Sequence, residues 1–255
     1  MYAIGIIPAR MASSRFPGKP LAKIHGVPMI GHVYHRSRLS TVLKEVYIAT
    51  CDREIMDYAG SIGAPAVMTS LSHERASDRT AEAMLKIEQE IGRKVDVVVM
   101  IQGDEPMVFP EMIDEALQPL ITDTKVNVVN LMSDLSTREE HDDPNEVKVV
   151  TGLDGNALYF SREPIPSWKK GASEVPMLKQ VCIIPFRRDF LLKFNQLSPT
   201  PLEVIESVDM LRVLEHGYAV KMVRTKYTTF SVDTPEDLAC VERCMENDTL
   251  MGRYG

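Results

Sequence analysis

Hydrophobic positions in the first half of the chain follow two alternating patterns. Short apolar runs without polar interruption predict buried strands, because a parallel strand that is covered on both faces has no solvent side. Between these runs, apolar residues recur three or four positions apart, which predicts amphipathic helices. The predicted strands are 2–9, 45–50, 64–70 and 95–101, and the predicted helices are 26–40, 52–63 and 77–92. This alternation at βαβ spacing predicts an α/β fold with a mostly parallel sheet in three layers.

The second half of the chain has a different pattern. It predicts strands at 127–135, 145–162, 178–188 and 219–224, and helices at 201–217 and 234–246. The stretch 145–162 is long enough for two strands, which the Asp154-Gly155 turn joins. Because no flexible linker separates the two halves, we interpret the second half as a mixed β extension of the α/β core, within a single domain that spans 1–255.

Composition narrows the class of protein. The 255 residues are 44% hydrophobic and 25% charged, which is typical of a globular enzyme. The net charge of −7 argues against nucleic-acid and membrane-surface partners, which basic proteins favour. The cysteines lack zinc-site spacing and are expected to be reduced thiols: Cys51, Cys182, Cys240 and Cys244. Neither a signal peptide nor an apolar run of roughly 18 residues stands out, so we expect a cytoplasmic protein.

The first predicted strand is followed by a loop that concentrates positive charge. This loop, PARMASSRFPGK, carries Arg10, Arg15 and Lys19. In open α/β sheets, ligands bind beyond the carboxyl ends of the strands. Turn amides together with Arg and Lys side chains suit an anion such as a phosphate. The segment is not the P-loop consensus, so a solvated surface loop is the competing interpretation.

Two further segments bring carboxylates to the same region of the predicted fold. IQGDEP ends the strand 95–101 with Asp104, and Gly103 permits a close backbone approach. Asp104 is a candidate Mg²⁺ ligand, since Mg²⁺ takes hard oxygen ligands beside phosphates; an ordinary turn residue is the alternative. In VDTPEDL, Thr234 and the residues after it explain a helix start, but Asp233 is not needed for it. Asp233 is therefore the candidate second ligand.

Four motifs together resemble one family. IIPARMASSRFPGKPL, IQGDEP, PNEVKVV…ALYFSR and VDTPEDL, in this order and at these separations, resemble the 3-deoxy-manno-octulosonate cytidylyltransferases (CMP-Kdo synthetases) from residue 6 to about 241. The resemblance implies a Rossmann-like nucleotide-diphospho-sugar transferase fold. It also implies a cytoplasmic homodimer that serves lipopolysaccharide biosynthesis. The implied reaction is Mg²⁺-dependent: CTP and Kdo, or a related 2-ulosonic acid, give the CMP-activated sugar acid and pyrophosphate. It assigns 1–125 to nucleotide binding, 126–230 to acceptor binding and dimerisation, and 231–255 to a metal ligand and a helix.

The resemblance also implies roles for individual residues. Catalysis is assigned to Arg10, Lys19 and Asp104, and the metal to Asp104 and Asp233. The nucleotide-binding residues are Pro8, Ala9, Arg10, Ser13, Ser14, Arg15, Lys19, Ser77, Arg79, Gln102 and Asp104. The acceptor-binding residues are Gln102, Arg162, Gln180, Ile184, Glu206, Asp209 and Met210.

Departures from the family pattern cluster on the acceptor side. Gln180 and Ile184 stand where the family commonly has His and Tyr, and Asp209-Met210 stands for Glu-Gln. One interpretation is a different acidic acceptor, such as an amino or otherwise modified sugar acid or a phosphonate; the other is drift among enzymes that use Kdo. A nucleotide-binding protein without turnover is a third possibility. Retention of the cationic loop and both candidate metal ligands argues against it.

Overall fold

The computed structural model of the protein describes residues 1–12, 15–169, 174–228 and 230–254. Its strands are β1 Ala3–Ala9, β2 Lys23–Ile24, β3 Val27–Pro28, β4 Val46–Thr50, β5 Ala66–Met68, β6 Val97–Ile101, β7 Val129–Asp134, β8 Lys148–Thr151, β9 Ala157–Ser161, β10 Leu178–Val181, β11 Ile183–Arg187 and β12 Lys221–Arg224. Its α-helices are α1 Met29–Ser37, α2 Arg53–Ser61, α3 Ala76–Ile91, α4 Pro110–Thr122, α5 Arg138–Asp142, α6 Arg188–Phe194, α7 Pro201–Glu206, α8 Asp209–Glu215 and α9 Pro235–Cys244. Short 3-10 helices lie at Lys19–Leu21 and Met251–Arg253.

The chain forms two compact units. The first comprises Met1–Asp114 and Thr229–Gly255, and the second comprises Glu115–Thr228. The sequence-based division has its borders after residues 125 and 230. The C-terminal segment therefore belongs to the same unit as the N-terminal strands, which brings the two ends of the chain together.

A parallel sheet forms the core of the first unit. Its strands lie in the order β6, β1, β4, β5, and every neighbouring pair is parallel. All residues of β1 and β6 are buried, as their uninterrupted apolar sequences predict. The chain leaves β1 toward β4 and β5 and then returns to β6 on the other side. This reversal creates a switch point at the carboxyl ends of β1 and β6, where ligands bind in folds of this type.

The second unit contains the predicted mixed sheet. Its order is β12, β7, β10, β8, β9; β12 is parallel to β7 and the other neighbours are antiparallel. The predicted turn between β8 and β9 is confirmed, with Gly155 at φ 73°. Only a residue without a side chain adopts this left-handed conformation readily, which explains the Asp154-Gly155 pair.

The prediction of one helix at 201–217 was wrong. The chain forms α7 and α8, separated at Ser207, which takes a left-handed φ of 54°. A buried ion pair joins the two helices, because Arg212 donates to both carboxylate oxygens of Glu203 at 2.6 and 2.8 Å. Apolar periodicity continues across Ser207, so the sequence pattern gives no sign of the break.

The C-terminal end of the chain is anchored by a buried polar cluster in the first unit. The hydroxyl of Tyr254 lies 2.9 Å from His32 Nδ1 and 2.8 Å from Arg36 Nε. Burial lowers the pKa of His32, which favours its neutral form. The Ile24 carbonyl at 2.9 Å from Nε2 can only accept, so Nε2 carries the proton and Nδ1 accepts from the tyrosine. Arg36 also pairs with Asp248 and is fully buried.

Tyr254→Phe is expected to destabilise the first unit. The change leaves His32 Nδ1 and Arg36 Nε without their partner, and each buried unpaired group costs about 1–3 kcal/mol. Urea unfolding measures the loss. Tyr218→Phe is the matched control, because the Tyr218 hydroxyl makes no hydrogen bond within the described residues while its ring packs on Phe190. Equal stabilities for the two variants would contradict the anchoring role.

Candidate active site

A cavity of about 350 Å³ opens at the carboxyl ends of β1 and β6, at the switch point of the sheet. Most of the predicted nucleotide and metal residues line it: Pro8, Ala9, Arg10, Arg15, Lys19, Arg79, Gln102, Asp104 and Asp233. All of them belong to the first unit. Ser13 and Ser14 lie outside the described residues. The basic loop is therefore part of a concave site that also contains two carboxylates.

The ammonium group of Lys19 is at the centre of this site. Its Nζ donates to Asp104 Oδ2 at 2.8 Å, to the carbonyl of Val232 at 2.7 Å and to Asp233 Oδ1 at 3.3 Å. Arg15 adds a second cation, with Nη2 at 3.0 Å from Asp233 Oδ1. The side chain of Lys19 is only 12% exposed, so these charges interact in a partly desolvated setting.

The basic loop is held in place by a residue that sequence reasoning missed. Asp52 Oδ2 accepts a hydrogen bond of 2.7 Å from the backbone N–H of Met11. Asp52 is the N-cap residue of α2, but its side chain makes no capping hydrogen bond there. Gly18 takes a φ of 75° and donates its N–H to the Met11 carbonyl at 3.1 Å, which turns the loop toward Lys19.

The segment after β6 approaches β1 closely, as predicted for Gly103. A Cβ at this position would lie 3.3 Å from the carbonyl oxygen of Pro8. The next residue, Asp104, accepts a backbone hydrogen bond of 2.9 Å from Val232 through its carbonyl oxygen. A glycine at 103 therefore lets the Asp104 carboxylate reach the cavity.

The start of α9 explains why Asp233 is available to the site. Thr234 and Asp237 form a capping box: Thr234 Oγ1 accepts from the Asp237 N–H at 3.2 Å, and Asp237 Oδ2 accepts from the Thr234 N–H at 2.8 Å. Asp237 Oδ2 also accepts from the Asp233 N–H at 3.0 Å. The helix start is thus satisfied without the Asp233 carboxylate, which points to Lys19 and Arg15 instead.

The two carboxylates suit a hard cation. Asp104 and Asp233 contact one ammonium nitrogen, so their oxygens converge on the same point. Among the described residues, no group of three or more His, Cys, Asp or Glu side chains has metal-site geometry. Mg²⁺ commonly takes only one or two protein carboxylates and fills its other positions with phosphate and water oxygens. This donor set therefore fits Mg²⁺ bound together with a phosphate group.

Of the predicted nucleotide-binding residues in α3, Arg79 lines one wall of the cavity and Ser77 is not among the lining residues. Ser77 is fully buried in the first turn of α3, and the N-cap position of the helix is Arg75, whose side chain makes no capping hydrogen bond. Arg79 is also buried and donates to Thr69 Oγ1 at 2.5 Å and to the His73 carbonyl at 3.3 Å. Arg79 thus fixes the segment between β5 and α3, which lines the cavity through His73 and its neighbours.

A carboxylate outside the predicted set anchors the same segment. Glu82 Oε2 accepts from the Ser70 N–H at 2.9 Å and bonds to His73 Nε2, and Glu82 Oε1 pairs with Lys86 at 2.7 Å. Burial alone would raise the pKa of Glu82, but the hydrogen bonds from Lys86, Ser70 and His73 lower it to about 2. Glu82 therefore remains charged over the whole physiological range.

In the second unit, the predicted acceptor residues Arg162 and Glu206 lie together. Arg162 Nε donates to the Glu206 carbonyl at 2.7 Å, and Nη1 donates to the Pro144 carbonyl at 2.7 Å. The Glu206 carboxylate accepts from the Arg162 N–H at 2.8 Å and from Ser161 Oγ at 3.0 Å. Glu206 thus orients Arg162, whose Nη2 makes no hydrogen bond within the described residues and remains available to an anion.

Lys148 is a further residue that sequence reasoning did not assign. It is fully buried, and its Nζ donates to the carbonyls of Asp143 and Arg162. Burial lowers the pKa of Lys148. The motif PNEVKVV contains it, but its apolar neighbours give no sign that its side chain holds the backbone of the candidate anion-binding arginine.

The other predicted acceptor residues occupy different environments. Gln180 is partly buried in β10, and its Nε2 donates to Asn130 Oδ1 at 2.6 Å. Asp209 opens α8. Ile184 and Met210 are 3% and 0% exposed, so in this structure they contribute packing and present almost no surface to a ligand.

Known proteins with similar sequences identify the family. A cytidylyltransferase family model matches residues 4–226. The 3-deoxy-manno-octulosonate cytidylyltransferase of Geobacter metallireducens is 41% identical over 248 residues, which cover 93% of this chain and 95% of the relative. The chain belongs to the 3-deoxy-manno-octulosonate cytidylyltransferase family. It is therefore a nucleotidyltransferase. Another family member, from Nitratidesulfovibrio vulgaris, is 44% identical, with 96% of each chain covered.

Solved structures agree with membership of the 3-deoxy-manno-octulosonate cytidylyltransferase family. A CMP:2-keto-3-deoxy-manno-octonic acid synthetase complexed with CTP has a TM-score of 0.88 at 37% identity, covering 96% of this chain and 98% of that chain. A cytidylyltransferase from Leptospira borgpetersenii, at 16% identity and a TM-score of 0.63, shares the fold alone. The predicted nucleotidyltransferase fold is confirmed. None of the helices in the described ranges is long and apolar enough to cross a membrane.

Glu82→Gln is expected to change the pH dependence of stability. Because the folded-state pKa of Glu82 is about 2, against an ordinary value of 4.5, the carboxylate stabilises the fold fully above pH 4.5 and less as the pH falls toward 2. The stability difference between wild type and variant should follow this course in urea unfolding at stepped pH. Glu246→Gln, at an exposed position, should show no such trend. A Glu82 difference that stays constant down to pH 2 would contradict the assignment.

Proposed function

We propose that this protein transfers the cytidylyl group of CTP to 3-deoxy-manno-octulosonate or a closely related 2-ulosonic acid, releases pyrophosphate and depends on Mg²⁺. The observation that carries the proposal is the Lys19 ammonium group between the carboxylates of Asp104 and Asp233, at the switch point of a parallel sheet. The names of the family members support the acceptor, and the CTP complex of the similar synthetase supports the nucleotide.

On the nucleotide side, the chain's own cations bind and orient the triphosphate. Arg10, Arg15 and Lys19 line one cavity, and Lys19 exchanges a carboxylate partner for a phosphate oxygen when the nucleotide enters. Asp104 and Asp233 would then hold Mg²⁺, which supplies positive charge to the phosphate oxygens. An acceptor hydroxyl attacks the α-phosphorus and pyrophosphate leaves. Catalysis therefore rests on positioning and electrostatic stabilisation, without a nucleophilic side chain.

On the acceptor side, Arg162 is the group that binds the sugar carboxylate. Two of its nitrogens are fixed by the carbonyls of Glu206 and Pro144, while Nη2 is available. A guanidinium whose orientation is set in advance loses little conformational freedom when it binds an anion. Glu206 and Lys148 act as positioning residues, since they hold the backbone of Arg162 from its N–H and its carbonyl.

A second candidate is the same reaction with a different acidic acceptor. The observation that favours it is the environment of Ile184 and Met210, which are closed off from solvent where the family pattern has polar side chains. Pyrophosphate release, measured with each of the four nucleoside triphosphates against Kdo, amino-substituted ulosonic acids and phosphonates, separates the candidates. The first requires turnover with CTP and Kdo; turnover with CTP and only another acid establishes the second, and no turnover with CTP overturns both.

Asp104→Asn and Asp233→Asn are each expected to lower kcat by about two orders of magnitude or more, because each removes a charge that holds the metal and its phosphate. Circular dichroism should show an intact fold. Asp57→Asn is the control, since among the described residues Asp57 pairs only with Arg53, on the exposed surface of α2. A rate for either site variant that equals the control rate would remove that residue from the metal site.

Lys19→Met is expected to lower kcat/KM for CTP by about 100-fold while changing the affinity for CMP by less than about threefold. CMP lacks the β- and γ-phosphates that the ammonium group is proposed to contact. Titration calorimetry with CMP and steady-state kinetics with CTP provide the two numbers, and the exposed Lys23→Met is the control. Equal losses for CMP and CTP would refute the triphosphate role.

A further inference from the structure

A buried amide in β7 has its orientation fixed by the backbone. Asn130 is fully buried, and its Nδ2 donates to the carbonyl of Val181 at 2.7 Å and to that of Leu131 at 2.9 Å. Carbonyl oxygens only accept hydrogen bonds, so the nitrogen of this amide must face them. The Asn130 oxygen is therefore directed to the opposite side, where it requires a donor.

Gln180 supplies that donor and is fixed in turn. Its Nε2 lies 2.6 Å from Asn130 Oδ1. Turning the Gln180 amide over would place two oxygens against each other, so Oε1 faces away from Asn130. Within the described residues Oε1 accepts no hydrogen bond, and the residue is only partly buried. The hydrogen bonds from the backbone through Asn130 to Gln180 therefore leave Gln180 Oε1, a hydrogen-bond acceptor, facing away from Asn130.

The same short segment contacts Gln180 and the candidate carboxylate-binding arginine. The backbone N–H of Gln180 donates to the Val147 carbonyl at 2.8 Å. Arg162 Nη1 donates to the carbonyl of Pro144, three residues earlier, at 2.7 Å. Gln180 and Arg162 are therefore tied to neighbouring points of the segment that leads into β8, within the second unit.

We propose that Gln180 Oε1 accepts a hydrogen bond from a donor substituent of the sugar acid, a hydroxyl or an ammonium group, and that Asn130 is the positioning residue that enforces this polarity. The inference rests on the proposed function. A side chain that is free to turn over would accept from or donate to the substrate equally well. Gln180 in this setting discriminates against a substituent without a donor hydrogen, because the amide oxygen then loses its partner on binding.

The test uses Kdo analogues in which one hydroxyl at a time is replaced by methoxy or by amino, with kcat/KM measured at saturating CTP. At the hydroxyl of the sugar acid that Gln180 contacts, the wild-type kcat/KM for the methoxy analogue should be about tenfold lower than for Kdo. The Gln180→Met variant should have the same kcat/KM for both compounds. At that position the amino analogue should be used at least as well as the parent by wild type. Gln196→Met, at an exposed position of the same unit, is the control.

Asn130→Leu tests the positioning role. Without the asparagine oxygen, the Gln180 amide is free to turn over, so the preference for hydroxyl over methoxy should fall toward one while catalysis persists. A purely structural role would lower the melting temperature and leave that preference intact. If Asn130→Leu does not fold, the Gln180→Met comparison decides alone.

The outcomes separate this inference from the function on which it rests. Equal discrimination by wild type and Gln180→Met at every position overturns the inference and leaves the cytidylyl transfer in place. Rejection of the amino analogue at the sensitive position restricts the donor to a hydroxyl. Failure of every sugar acid to give a CMP derivative with CTP overturns the proposed function, and the inference with it.

Discussion

The candidate active site depends on charge balance around one nitrogen atom. Lys19 Nζ joins three parts of the first unit that are far apart in sequence: the loop after β1, Asp104 after β6, and the segment of Val232 and Asp233 before α9. Two carboxylates this close repel each other unless a cation lies between them, and partial burial makes that repulsion stronger. The ammonium group of Lys19 therefore holds these three segments together and balances the charge of both carboxylates.

Arg162 in the second unit is also held in place by its neighbours, through carbonyl oxygens instead of carboxylates. Arg162 donates to two carbonyl oxygens, and within the described residues its Nη2 makes no hydrogen bond. Glu206 and the buried Lys148 hold its backbone N–H and carbonyl. In both units, the group proposed to contact substrate is oriented by partners that are themselves well packed. Such sites lose little conformational entropy on binding, which is why positioning alone can supply a large part of a rate enhancement.

Much of this fold could be predicted from the sequence, but several contacts could not. The runs in β1 and β6 are apolar throughout, and such runs fit only strands covered on both faces. Asp233 could be predicted as a site residue because Thr234 and the residues after it account for the start of α9 without it. Asp52, in contrast, looks like an ordinary N-cap residue, and Glu82 looks like an ordinary surface acid. Their partners are the Met11 N–H and the Ser70–His73 segment, and no local pattern encodes such pairs. Ser207 breaks a helix that periodicity continues.

The acceptor side shows why single positions mislead. In the sequence alone, Gln180 stands where the family commonly has a histidine, and the change looks like the loss of one contact with the acceptor. In the structure it satisfies Asn130, a buried residue fifty positions away along the chain. Changing Gln180 alone would leave the Asn130 oxygen unpaired, unless the new side chain donates to it. A histidine placed there would have to direct a ring N–H at Asn130, which fixes its tautomer and leaves the other ring nitrogen as an acceptor. The acceptor polarity proposed for this point of β10 is therefore a property of the Asn130–Gln180 pair, and a change in either member is expected to alter it.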